Sequence, residues 1–176
     1  MVSDSRGIYA GIEAKNIRQW LYPDREEKRD LLMKCCALDV VPVLISRRIH
    51  FSAFSVLNPC GVVIHQKFNQ LYPSSKAELA AQVRHKDLLG FHDIRCNQAE
   101  DAAITHRRLS GFLHVNLPAI LPEARESFDR FKDLLASYAN GQCDYNIFAA
   151  RVKRRIRGED VDFPEHQPGE FDTPDW

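Results

Sequence analysis

From residue 8 to residue 15 apolar and polar positions alternate, so that Ile8, Ala10, Ile12 and Ala14 share one face of an extended segment and Tyr9, Gly11, Glu13 and Lys15 the other. A period of two predicts a β-strand with one apolar face. The period then changes. Pro23 and Asp24 are followed by Glu27 in the capping-box arrangement, and Leu31, Leu32, Cys35 and Cys36 recur at helical spacing, which predicts a helix from about residue 24 to 38. Val40 to Ile45 is a continuous apolar run that suits a strand covered on both faces in a parallel sheet. Strand, helix and buried strand make a βαβ unit. Such a unit closes right-handed and leaves a crevice at the carboxyl ends of its strands, where Glu13 and Lys15 lie.

A short apolar segment, Phe51 to Leu57, precedes the turn Asn58-Pro59-Cys60-Gly61, and Gly61 to His65 reads as a third strand. From Ser75 onward the pattern predicts helices over about 76–88, 98–113, 123–139 and 144–157. The third has Pro122 at its start, Phe128, Phe131, Leu135 and Tyr138 on one stripe, and Asn140-Gly141 as its stop. The expected fold is therefore α/β: strand, helix, strand, strand, followed by a mostly helical second half. Residues 1–158 are expected to form a single domain, which 176 residues are enough to supply with a core of its own.

Charge changes this picture at one end. The last 18 residues, Glu159 to Trp176, hold seven acidic side chains and no Lys or Arg, which leaves residues 1–158 with 24 basic against 17 acidic, a net +7. The body is basic and suits a polyanionic partner such as DNA. The stretch 159–176 is rich in Pro, Gly and acid and is expected to be a flexible acidic tail. The five cysteines are odd in number and form no CxxC or Cys/His ligand cluster, as in a protein of a reducing compartment. No apolar run reaches the roughly 18 residues of a membrane span and the N-terminus has no signal-like segment, so a cytoplasmic location with no membrane partner is expected.

Glu13 and Lys15 lie two apart and so project to the same strand face. A carboxylate can hold a divalent cation, and Mg²⁺ needs only one or two carboxylates beside a substrate phosphate. An adjacent ammonium can orient a water or stabilise charge developing on a phosphodiester. A strand ending in Glu13-Ala14-Lys15-Asn16, then a helix, then Val41-Pro42-Val43-Leu44-Ile45 resembles the second half of the PD-(D/E)XK nuclease core of archaeal Holliday-junction resolvases and restriction endonucleases, over about residues 4 to 66. The resemblance implies a restriction-endonuclease-like core, a Mg²⁺-dependent DNA endonuclease activity or a degenerate relative of it, Glu13 as metal ligand and Lys15 as catalytic residue. It also implies a second metal-ligating Asp on a preceding strand, for which Asp4 is the candidate. The family core places a helix and two strands ahead of the Glu-x-Lys strand, whereas about seven residues precede it here, so the Asp-bearing hairpin is expected to be missing. A non-catalytic nucleic-acid-binding or protein-interaction module on the same scaffold is the alternative.

Arg47 and Arg48, directly after the second strand, are placed to contact a phosphate backbone or to form a solvated turn. The segment from Asp144 sets Phe148, Val152 and Ile156 on one stripe with Arg151, Lys153, Arg154 and Arg155 around them, which is either a phosphate-binding face or a solvated cap. Gln19 and Trp20 are within reach of a base or sugar, though Trp20 also suits packing of the loop. His85 and the His92-Asp93 pair match a base and its orienter but lack a nucleophile motif beside them. An exposed edge along Ile8 to Lys15 would invite a homodimer.

Overall fold

The computed structural model describes residues 2–3, 7, 9–15, 20–22, 26–67, 69–85, 87, 91, 93–97 and 109–159. The alternating segment forms β2 (Tyr9–Lys15), and the continuous apolar run forms β3 (Val41–Ser46), its parallel neighbour, with Glu13 opposite Leu44 and Lys15 opposite Ser46. The strand after Gly61, β4 (Val63–Gln66), is parallel to β3 on its other side. A two-residue strand, β1 (Val2–Ser3), runs antiparallel to β2, pairing Val2 with Ala10 and Ser3 with Tyr9. The sheet order is β1-β2-β3-β4. A short antiparallel strand thus does precede the Glu-x-Lys strand, and it occupies one end of the edge expected to be open. Asp4 and Ile8 lie outside the described residues.

The helix α1 (Glu26–Leu38) joins β2 to β3. It ends because Asp39 takes a left-handed backbone, φ 55°, which lets the Val40 N–H reach back to the Cys35 carbonyl at 3.0 Å. A non-glycine residue there is uncommon. Its carboxylate is held by Lys132 at 2.6 Å and Arg125 at 2.9 Å, which tie the end of α1 to a later helix. Gly11 brings α1 close to the sheet: a Cβ on it would stand 2.7 Å from the Cys35 Sγ. The face of β2 expected to be polar is therefore packed, and the strand is covered on both sides.

Phe51–Leu57 is a helix, α2, capped by the His50 Nδ1 accepting from the Ser52 N–H, and not merely an apolar approach to a turn. After β4 comes a second small βαβ unit, in which the helix expected over 76–88 is found but the two strands around it are absent from the sequence expectation. Its parallel strands β5 (Gln70–Pro73) and β6 (Ile94–Asn97) flank α3 (Ala77–Arg84). Part of the helix expected over 98–113 lies outside the described residues. A π-helical turn, Phe112–Asn116, then leads into α4 (Leu117–Ala139), which starts earlier than its sequence suggests and carries Pro122 inside it. Pro122 removes one helical hydrogen bond, a cost of about 3 kcal/mol. Phe112, Leu117 and Leu121 offset it, because they bury the sheet face formed by Ala10, Val41, Val43 and Val63. Each such side chain contributes about 1.5–3 kcal/mol.

Past Pro122, α4 crosses the sheet edge at Gly61 and packs on α1, so that Phe128, Phe131, Leu135 and Tyr138 join Leu32, Leu44 and Val56 in the larger core. The stripe read as core is core. The last helix, α5 (Tyr145–Ile156), is capped by Asp144 accepting from the Ile147 N–H at 2.9 Å. Phe148 stacks on Tyr138 at 4.7 Å and Val152 is buried, while Ile156 is 49% exposed. The cysteines are all free thiols. Among the described residues no helix is long and apolar enough to cross a membrane. Residues 160–176 lie outside the described residues.

Candidate functional site

Glu13 and Lys15 come off the last residues of β2 on the face that Gly11 opens to α1. The Lys15 Nζ lies 2.5 Å from the Glu13 Oε1, and each side chain is about a quarter exposed. Burial, neighbouring Cys36 and then the Glu13 carboxylate push the Cys35 thiol up to about 12. The pair therefore sits half-sheltered at the carboxyl edge of the parallel sheet, as the sequence predicts.

Beside it opens a pocket of about 270 Å³ lined by Lys15, Ser46, Lys67, Asn69, Gln70 and Leu109, among others. Three of its lining side chains, those of Lys15, Arg47 and Lys67, are cationic. Ser46 is 2% exposed and its hydroxyl has no hydrogen-bond partner among the described residues, while its backbone carbonyl accepts from the Lys67 N–H at 2.8 Å. A buried hydroxyl left unpaired costs about 1–3 kcal/mol. An anion entering this pocket would meet the Lys15 and Lys67 side chains. Ser46, Lys67, Asn69 and Gln70 are not singled out by the sequence. Their signal is positional, since each lies within a few residues of a strand end.

The other residues picked from the sequence divide. Arg47 is buried, its guanidinium sits on the Asp93 carboxylate and donates to the Gln70 Oε1 at 3.0 Å, and it joins the two sheets while also lining the edge pocket. The same pairing takes Asp93 away from any role as the orienter of a histidine. Arg48 is half-buried over the Trp20 ring, 5.7 Å from its centroid. On α5, Arg155 grips Asp133 with two nitrogens at 2.5 and 2.8 Å and so is engaged within the domain, while Lys153 is exposed and Arg151 and Arg154 are half-buried. None of the four lines the Glu13 edge pocket. His85 is exposed, 3.6 Å from Asp87. Gln19 and His92 lie outside the described residues.

A divalent ion at this edge would find the Glu13 carboxylate, already in contact with Lys15. Among the described residues no group of three or more His, Cys, Asp or Glu gathers. Such a donor set fits Mg²⁺ arriving with a phosphodiester, which itself supplies ligands, and does not fit a dedicated protein cage. Comparison with protein-family models, with curated proteins and with solved structures finds no match for this chain.

Proposed function

We propose that this domain binds the phosphodiester backbone of DNA at the carboxyl edge of its parallel sheet and hydrolyses it, as a Mg²⁺-dependent endonuclease of the PD-(D/E)XK type or a degenerate relative. The observation that carries this reading is the contact between Glu13 and Lys15 beside a pocket lined by Lys15, Arg47 and Lys67 and by Ser46, whose buried hydroxyl has no hydrogen-bond partner among the described residues. In this reading the Glu13 carboxylate holds the ion with the substrate, and Lys67 and Ser46 receive phosphate oxygens. When bound, Mg²⁺ supplies a water of lowered pKa and neutralises charge on the phosphate. Lys15 orients the attacking water or stabilises the added negative charge.

A second reading, a binding module without chemistry, is favoured by the short supply of carboxylates at the edge. Purified protein incubated with supercoiled plasmid and with branched DNA separates the two. Nicking or linearisation that requires Mg²⁺ and stops with EDTA is the expected result. DNA retention with no product at any divalent-ion concentration would leave the binding module.

A further inference from the structure

We infer that an aromatic face next to this edge stacks the unpaired bases of a single-stranded nucleic acid, an inference that rests on the phosphodiester reading and narrows its substrate. Leu21 is fully buried and tied to the next segment by an isolated parallel bridge to Ile49, its N–H donating to the Arg48 carbonyl and its carbonyl accepting from the His50 N–H, each at 3.1 Å. That anchor fixes the residues on either side of it. Trp20 and Tyr22 are 44% and 45% exposed, and Phe51 and Phe54 on α2 are 77% and 38% exposed. His50 lies between the two groups, stacked on Tyr22 at 4.9 Å and edge-on to Trp20 at 6.3 Å. The rings border an open hollow of about 590 Å³, with Gln66 at its rim.

Beside Gln66, the exposed lining is aromatic, since the aliphatic residue in it, Ile49, is 3% exposed. Every base offers a π-face to stack on such rings. Charge points the same way. The Arg48 guanidinium lies over Trp20, and Lys67, which lines the cationic pocket with Lys15, directly follows Gln66 at the rim of the hollow. A strand with its phosphates at the lysines would bring its bases to the rings. Only unpaired bases can do this, because a duplex hides their faces.

The test is fluorescence anisotropy of the full chain in EDTA, with a labelled oligothymidine and a hairpin duplex of equal length. The oligothymidine should bind more tightly. Trp20→Leu and Phe51→Leu keep an apolar side chain but remove the π-face, and each should weaken single-strand binding about 5- to 150-fold with little effect on the duplex. Tyr9→Leu, a change at a ring 53% exposed on β2 outside this hollow, should leave both affinities unchanged. Equal affinity for the two forms, or unchanged single-strand affinity in the two leucine variants, would overturn the platform. So would sedimentation showing a wild-type dimer dispersed by the same variants, which would make the rings a self-association surface. Failure of the two readings is separable: ring-dependent single-strand binding without cleavage removes hydrolysis alone, and cleavage with ring-independent binding removes the platform alone.

Discussion

Arg47 and Arg48 are adjacent in sequence and equally basic, yet they do unlike things. Arg48 lies over Trp20 near the surface, while Arg47 turns inward onto Asp93, each of that pair being less than a tenth exposed. The sequence makes both legible as cations after a strand. It does not reveal that Asp93 arrives from β6's approach to the second sheet, because that contact is tertiary. Removing one member of a buried pair leaves an uncompensated charge, whereas replacing both with apolar groups can be neutral. Asp93→Ala should therefore lower the unfolding free energy by about 3–5 kcal/mol in urea denaturation, and the double variant Arg47→Met with Asp93→Leu should recover most of it. A double variant as unstable as the single would show that the pair does more than satisfy itself.

At the level of elements, the first βαβ unit was readable because its periods are strong: two for β2, helical for α1, and an unbroken apolar run for β3. β5 and β6 were not, because each has four residues, too few for a period to declare itself. The early start of α4 was masked by Pro122, whose local cost is outweighed by apolar burial on a sheet that only the folded chain brings near. Gly61 is the point where this helix passes closest. A Cβ there would stand 2.3 Å from the Ala124 carbonyl oxygen and 2.4 Å from the Phe128 nitrogen, and the residue holds φ at 81°. Both are backbone atoms that cannot rotate away. Gly61→Ala should cost about 2–5 kcal/mol from left-handed strain and overpacking together, read as a lowered denaturation midpoint. A midpoint unchanged from wild type would mean that α4 does not cross here.

Across the described residues, one edge gathers the side chains of the proposed site. The carboxyl ends of β2, β3 and β4 bring together Glu13, Lys15, Ser46 and Lys67, as a parallel sheet tends to do with its binding residues. The Glu13-Lys15 half of this was legible from a two-residue spacing at a strand end. The serine and second lysine were not, since their role depends on which strands become neighbours. The net +7 of residues 1–158 supports a polyanionic partner without saying where it sits. The most direct measurement compares Glu13→Gln with Lys15→Ala in Mg²⁺-dependent plasmid cleavage and in Mg²⁺ binding by calorimetry with DNA present. Both variants should lose cleavage by about 100-fold or more, but Glu13→Gln should also lose ion binding while Lys15→Ala keeps it, because only the first removes a charged oxygen ligand. Wild-type cleavage persisting in either variant, with its fold intact, would contradict the placement of the site at this edge.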